Sequence, residues 1–442
     1  MQHSDIQEYI NTVCGEIRWK RAHNAISEEI EGHIIDQKNA FIQSGLDDKT
    51  ATEKAIIEMG DPVTIGTELD RSYRPKIEWS IIALACAMAV AGLLVRIFTI
   101  YNTVEPFELS MINDFLSIII GAAFMLAAYF LDFTTIGKYP KKIFFCMSVL
   151  LLVLRNYGVG YNVVFLPLMS FYPLFILFFP TAFAGIIYAM RSKGYIGMIQ
   201  TGLIFLVPAV ICLYEYNMQQ TFIYSVSCLI LLTVAVVNGW FNIKKSNALF
   251  LIYGSVFFVV ITFIFWLFLA RPYAFDRIRA AFNPTLDPQG AGWMELFVRN
   301  IVSGAELIGQ GYLGEFAGMS LPGRHTDLML AYLIHKFGWI SFIIIMTIIT
   351  VFIARLFTIC KKQKSILAKL VSTSILITYT MQVFMYVVYN FGFHVVSPLT
   401  LPFFSYGGTS NIINMTLIGI LLSIFNTGEL YRDGISEKTL KV

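Results

Sequence analysis

Charge is scarce in this chain. Of its 442 residues only 14% are Asp, Glu, Lys or Arg and 57% are hydrophobic, whereas an ordinary soluble domain carries about a quarter charged residues. A soluble protein of this length is excluded. Stretches of apolar residues recur from residue 79 to residue 427, and runs of roughly 20 such residues suffice to cross a bilayer. Strict apolar–polar alternation is missing, which excludes the closed β-barrel, the other spanning solution. The six cysteines (Cys14, Cys86, Cys146, Cys212, Cys228 and Cys360) form no Cys-x-x-Cys pair, and most lie in apolar segments. A disulfide framework or zinc site is therefore not expected. The net charge of +3 is spread over short loops rather than one stripe, which argues against nucleic acid as a partner. The N-terminus is polar for more than 70 residues, so no cleavable signal peptide is expected. What remains is an all-α polytopic membrane protein.

Residues 1–76 differ from the rest and read as a small soluble helical domain. Ser4 and Gln7 are spaced as a capping box, and Ile6, Ile10, Val13 and Ile17 then share one helical face. A second helix carries Ile26, Ile30, Ile34 and Phe41 and ends near Gly45. A third runs from about Thr50 to Met59 and is stopped by Gly60-Asp61-Pro62, and a short fourth breaks before Pro75. Glu29 with His33, and the Met59 to Pro62 turn, resemble the permease prefix domain found ahead of some bacterial membrane proteins. No partner ligand stands at useful spacing from His33, which reads as a packed helix residue.

Residues 77–442 read as the membrane domain, with ten spans at about 79–101, 111–131, 143–158, 166–190, 196–213, 221–241, 248–270, 338–358, 366–391 and 407–426. Lys and Arg cluster before the first span, after the second, fourth and sixth, between the eighth and ninth, and in the tail. The opposite loops, 102–110, 214–220 and 392–406, contain neither. The positive-inside rule then puts both termini in the cytoplasm and residues 271–337 outside. Such a long connection in a chain of short ones is often functional. Its Gly- and Pro-rich sequence predicts short interfacial helices joined by glycine turns. Within the spans charge is sparse: Arg96 and Arg155 lie near outer ends, where they can snorkel to headgroups. The missing intramembrane charges and inverted repeat argue against a transporter.

Three patches stand out near the last spans: His325-Thr326-Asp327, Leu401-Pro402-Phe403, and Ser405-Tyr406-Gly407-Gly408-Thr409-Ser410. They continue an ordered series that begins with Arg277, Pro284, Asp287-Pro288-x-Gly290 and Trp293. It runs on through Ser303-Gly304, Gly309, Gly311, Gly314, Leu321-Pro322, Gly338, Gln382 and Gly392. From about residue 272 to residue 426 this series resembles the SEDS family (shape, elongation, division and sporulation), which includes FtsW and RodA. The first half departs from the family pattern. Where the family has Pro-Ser-Glu-x-x-Lys, this chain has Pro180-Thr181-Ala182-Phe183-Ala184-Gly185. A Pro-Asp-x-Gly turn has become Tyr216-Asn217-Met218-Gln219, an acidic pair has become His335-Lys336, and an asparagine after Gln382 has become Tyr386.

The resemblance implies a peptidoglycan glycosyltransferase that polymerises lipid II, a disaccharide-peptide on undecaprenyl pyrophosphate, at the outer face of the cytoplasmic membrane. It also implies a class B penicillin-binding protein as partner, besides membrane lipids. A diverged scaffold or regulator of the same fold is the alternative. Glycosyl transfer needs a base for the acceptor hydroxyl and cations for the departing pyrophosphate. Asp327 matches the family's loop aspartate and is the candidate base. Its other reading is a helix N-cap, since an apolar helical run follows it. His325 and Thr326 hold that turn or touch substrate. Arg277 and Arg324 are candidates for the pyrophosphate, because the guanidinium fork fits phosphate, or else pair with loop carboxylates. Glu315 is a second acidic candidate. Ser405, Tyr406, Gly407 and Gly408 either line a headgroup cavity or serve helix packing. No cofactor is implied. A divalent metal is compatible with the chemistry, but no ligand spacing identifies a site.

Overall fold

Backbone groups in lipid have to be satisfied within their own segment, and helix does this. The computed structural model describes residues 2–73, 78–100, 107–160, 174–214, 218–270, 272–313, 319, 321–395 and 399–427, and all regular structure among them is helical. The chain divides into two compact units, Met1–Ile77 with Phe425–Val442, and Glu78–Ile424. The side chain of Arg155, the residues Tyr216, Asn217, Gly314 and Glu315, and the first part of the expected fourth span lie outside the described residues.

The first unit packs α1 (Gln2–Glu16), α2 (His23–Gln43), α3 (Asp48–Met59) and α4 (Pro62–Tyr73). Its core is the isoleucine stripe of α1 and α2: Ile6, Ile10, Val13, Ile17, Ile26, Ile30 and Ile34 are buried, joined by Ala55 of α3. Asp47 caps α3 by accepting from the Thr50 N–H at 3.2 Å, and Asp61 accepts from the Thr64 N–H at 2.9 Å with Pro62 next to it. Tyr9 ties the α3–α4 turn to α1 by donating to the Gly60 carbonyl at 3.1 Å. Two expectations need correction. Helix α1 already runs from Gln2, so Ser4 stands inside it rather than ahead of it, and Asp5 meets the positive helix end. His33 is exposed, one position from the buried Ile34.

Among the described residues of the second unit eight segments are long and apolar enough to cross a membrane: Trp79–Thr99, Ile112–Phe130, Ile176–Leu213, Met218–Val237, Lys245–Trp266, Trp339–Lys362, Ile366–Asn390 and Gly408–Phe425. They fall on α5 (Trp79–Ile100), α6 (Phe107–Phe130), α9 (Phe179–Met190), α10 (Gly194–Tyr214), α11 (Met218–Val237), α12 (Lys245–Ala270), α16 (Trp339–Lys362), α17 (Ile366–Asn390) and α18 (Gly408–Thr427). Helices α9 and α10 share one segment, broken at Arg191–Lys193 before Gly194, whose φ of 59° ends the first helix. Between α6 and α9 come α7 (Thr134–Lys138) and α8 (Pro140–Gly160). The expected span 143–158 falls on α8, which is not among the eight.

Helix α17 is the hub, packing against α9, α11 and α16. Its buried polar face makes the contacts: Ser374 donates to Thr181 at 3.1 Å, Tyr379 to the Asn414 carbonyl at 2.6 Å, and Gln382 to Asn414 Oδ1 at 3.3 Å. The altered Pro180–Gly185 stretch is buried apolar packing on α9. A Cβ at Gly185 would stand 2.6 Å from the Ile136 carbonyl oxygen, so no longer side chain fits there. The expected snorkelling of Arg96 is not what the structure shows. Arg96 is buried and its Nη1 pairs with Asp114 of α6 at 3.3 Å.

Residues 272–337 fold as α13 (Pro272–Phe282), a short turn Pro284–Leu286, α14 (Trp293–Ser303) and α15 (Met329–Phe337). Phe297, Val298, Ile301 and Val302 of α14 pack on Leu321, Leu328 and Ala331, with Trp339 and Tyr389 against them. This apolar plug fixes the position of the segment between Leu321 and Leu328.

Candidate functional site

The Leu321–Leu328 segment turns at Gly323, whose φ is 65°. Its carbonyl accepts from the N–H groups of Thr326 at 3.0 Å and Leu328 at 2.9 Å. Only glycine takes that backbone conformation cheaply, and the turn brings His325, Thr326 and Asp327 to the foot of α15. An aspartate one or two residues before a helix normally caps it. Here the cap comes from another helix. Asn390, the last residue of α17, accepts from the Ala331 N–H at 2.9 Å through Oδ1. Its Nδ2 donates to the Asp327 carbonyl at 2.9 Å and to the Tyr386 carbonyl at 2.9 Å. One turn earlier on α17, the Tyr386 hydroxyl donates to the Thr326 carbonyl at 2.5 Å. From the other side the Tyr406 N–H donates to the His325 carbonyl at 2.9 Å. Every carbonyl from His325 to Asp327 is therefore held by α17 or by the 405–408 turn.

The Asp327 side chain is left out of these bonds. It is exposed, yet protein stands close enough around it that burial raises its pKa above the ordinary carboxylate value. The hydroxyls of Tyr386 and Tyr389 lie within its electrostatic reach. The arrangement offers a carboxylate that can take up a proton more readily than a free one.

The other expected residues distribute unevenly. Arg324 turns to its neighbour, its Nε donating to His325 Nε2 at 3.2 Å. Arg277 is exposed and acts electrostatically on Glu295, Tyr389 and His394. Ser405 is buried and donates to the Leu401 carbonyl at 3.3 Å. A Cβ at Gly408 would meet that of Ser117 on α6 at 3.0 Å, and one at Gly407 would meet Thr400 at 3.2 Å; both glycines serve close approach. Ser410 bonds Thr400 and Asn414. Thus His325, Thr326, Asp327, Arg324 and Tyr406 come together, whereas Arg277 stands with a different group.

That group was not anticipated. Glu295 of α14 and His394 are buried, with His394 Nδ1 3.7 Å from Glu295 Oε1 and its ring 4.0 Å from that of Tyr389. Burial raises the Glu295 pKa and pushes that of His394 down to about 4, with Arg299 and Arg277 adding to the depression. Arg299 braces the same corner, donating to the carbonyls of Gly392 at 3.1 Å and Ala281 at 2.7 Å. Among the described residues no three His, Cys, Asp or Glu side chains converge to hold a metal ion.

The FtsW/RodA/SpoVE family model, described as a cell cycle protein, matches residues 78–429. The chain is 29% identical over 195 residues to a probable peptidoglycan glycosyltransferase FtsW of Trichlorobacter lovleyi, covering 44% of this chain and 51% of that protein. It is 27% identical over 191 residues to the peptidoglycan glycosyltransferase MrdB of Escherichia coli K12, covering 42% and 52%. The chain thus spans about half the length of the curated relatives it matches. Among solved structures, a chain of a peptidoglycan synthase complex that coordinates polymerization and crosslinking superposes with a TM-score of 0.62 at 17% identity, covering 81% of this chain and 99% of that one. The rod shape determining protein RodA of Thermus thermophilus gives 0.52 at 15% identity, covering 81% and 98%. These similarities establish the fold.

Proposed function

The chain belongs to the FtsW/RodA/SpoVE family of cell cycle proteins, and on that premise we propose that it is a multi-pass membrane glycosyltransferase polymerising lipid II into glycan strands. The observation that carries this reading is the Asp327 carboxylate, relieved of helix capping by Asn390 and raised in basicity by its surroundings. In the proposed step Asp327 accepts the proton of the acceptor sugar hydroxyl as that oxygen attacks the anomeric carbon of the donor. The new glycosidic bond forms as the bond to the pyrophosphate breaks, and undecaprenyl pyrophosphate leaves with the electron pair. A single displacement inverts that carbon. A base works best when its pKa lies closer to the working pH than that of a free carboxylate, and burial moves Asp327 in that direction. His325 and Thr326 act through the turn that aims Asp327, and Arg324 stands beside them to meet phosphate.

The same reading has both termini in the cytoplasm, the 271–337 segment at the outer face, and residues 1–76 as a cytoplasmic prefix domain. A class B penicillin-binding protein is the proposed partner that crosslinks the strand. One observation favours a second reading, a scaffold that binds lipid II without polymerising it. The family's Glu and Lys positions in the Pro180–Gly185 stretch are filled by apolar packing.

Purified protein with its penicillin-binding partner and labelled lipid II separates the two. Strands made by wild type and lost in Asp327→Asn, with folding intact, support the enzyme. Equal polymerisation by Asp327→Asn removes Asp327 as the base, and lipid II binding without any polymer favours the scaffold.

A further inference from the structure

Arg96 and Asp114 are the feature that the proposed step leaves unused. Both are almost completely buried, at 2% and 3% exposure, near the same ends of two consecutive spans. The pair is incomplete. Arg96 Nε donates to the Gly92 carbonyl at 3.2 Å and Nη1 to Asp114 Oδ1 at 3.3 Å, but Nη2 is buried and has no hydrogen-bond partner among the described residues. A buried guanidinium donor without an acceptor is costly and calls for an explanation. An ionised side chain inside a membrane span points to function by default.

Its position is set by the 403–408 turn. A Cβ on Gly92 would stand 1.8 Å from the Phe403 carbonyl oxygen, and Gly408 lies against Ser117, so this turn crosses α5 and α6 one helical turn from Arg96 and Asp114. Tyr406 lies within electrostatic reach of Arg96, and the N–H of the same Tyr406 holds the His325 carbonyl. Tyr406 thus links Arg96 to the Asp327 turn. Beside it the same ends of α5 and α6 expose Leu94, Phe98, Ile112 and Phe115. An apolar surface next to a buried cation with a donor left unpaired among the described residues is what a lipid carrying a phosphate needs: chain on the surface, oxyanion on the fork.

We infer that Arg96 is the anchor for the pyrophosphate of a polyprenyl-linked donor, with Nη2 binding an oxyanion while Asp114 holds Nη1 in place. This rests on the glycosyltransferase reading for the identity of the donor. It assigns the cation role to Arg96 rather than to Arg277. A phosphorylated membrane lipid or free pyrophosphate shares the chemistry, and the test distinguishes them.

The test is binding, read apart from polymerisation. The full-length protein in phosphatidylcholine nanodiscs is titrated with undecaprenyl pyrophosphate, undecaprenol, phosphatidylglycerol and inorganic pyrophosphate. The variant Arg96→Gln/Asp114→Asn removes both charges, so neither is left buried alone; Arg96→Lys keeps charge but not the fork, and thermal unfolding confirms that each folds. The expected result is that undecaprenyl pyrophosphate binds wild type at least tenfold more tightly than the double variant, with Arg96→Lys intermediate. Undecaprenol does not distinguish the proteins. Equal binding of undecaprenyl pyrophosphate by wild type and the folded double variant overturns the assignment. So does equal competition by phosphatidylglycerol or inorganic pyrophosphate, which would make the site one for any phosphate. If binding depends on Arg96 but wild type makes no polymer, the anchor stands and the polymerase reading fails.

Discussion

Replacing Asn390 by alanine tests whether the cap supplied by α17 is what frees Asp327. The substitution removes the acceptor for the Ala331 N–H and the donor to the Asp327 carbonyl. Loss of a cap costs about 1 kcal/mol, within a range of roughly 0.5–2, and loss of a second hydrogen bond costs about 1 kcal/mol more. The bond to the Tyr386 carbonyl adds little, because that oxygen stays within the helical ladder of α17. Ala331 is fully buried, so water cannot replace the lost acceptor, and the sum falls at about 2–3 kcal/mol. The groups nearest the vacated N–H are those of the Asp327 turn itself. Without Asn390 the Asp327 carboxylate becomes the natural cap of α15 and is no longer available as a base. The expectation for Asn390→Ala is a loss of about 2 kcal/mol in mixed-micelle unfolding, together with at least tenfold slower lipid II polymerisation. Asn390→Asp keeps the acceptor and loses the donor, so it should recover part of the stability but not the activity. If Asn390→Ala unfolds within about 0.5 kcal/mol of wild type, within the ordinary scatter of surface substitutions, and polymerises normally, the cap does not hold the site.

Polymerisation should fall with acid at a pH above the ordinary aspartate value near 4, because burial raises Asp327 and the protonated carboxyl cannot act as base; a pH–rate profile whose acid limb lies at or below about 4 contradicts this. His394 titrates near 4 in the fold and near 6.5 when unfolded. Its contribution to stability is therefore complete above about pH 6.5 and lost as pH falls towards 4, by on the order of 3 kcal/mol. Burial of Glu295 acts with the opposite sign, so the check is the difference in unfolding between wild type and His394→Gln at pH 7 and pH 4.5, and His394→Gln should lose less in acid. Gly92→Ala should prevent the 403–408 turn from seating on α5, since its Cβ would stand 1.8 Å from a backbone oxygen, whereas Gly254→Ala meets nothing within 4 Å and should be neutral in thermal unfolding in nanodiscs.

How much of this was legible from sequence follows from the kind of signal each element leaves. Membrane helices declare themselves by length and apolarity, and the prefix helices by their isoleucine stripe, because burial of a whole face dictates many residues at once. The altered Pro180–Gly185 stretch could be read as a loss of charge, but not as tight packing against the Ile136 carbonyl, since that depends on where α7 lies. Asp327 stands out in the sequence as a candidate, and its competing role as a helix cap is the obvious local reading. The local reading gave way because a residue more than 60 positions away supplies the cap. A signal for it was present: Tyr379, Gln382, Tyr386 and Asn390 recur on one face of an otherwise apolar span. Polar groups there need partners in lipid, and the face that bears them must meet something polar.

The same reasoning applies to the charges misjudged from sequence. Arg96 alone, near the end of a span, suits the headgroups, and snorkelling is the cheapest outcome for a long cation. Asp114 opens the next span and removes that default, because two opposite charges on adjacent hairpin helices can meet. Glu295 and His394 were not paired for a different reason: they are about a hundred residues apart, and nothing in either segment signals the other. The first half of the chain lacks the Glu and Lys of the Pro-Ser-Glu-x-x-Lys motif and holds a buried Arg–Asp pair beneath the 405–408 turn. If that pair holds the leaving group, the loss of the motif changes where the cation sits and leaves the chemistry in place. If it does not, Arg324 beside His325 is left as the candidate cation near the aspartate, and the scaffold reading gains. Binding of undecaprenyl pyrophosphate to Arg96 therefore weighs more heavily on the function of this chain than the conservative fit of its last three spans.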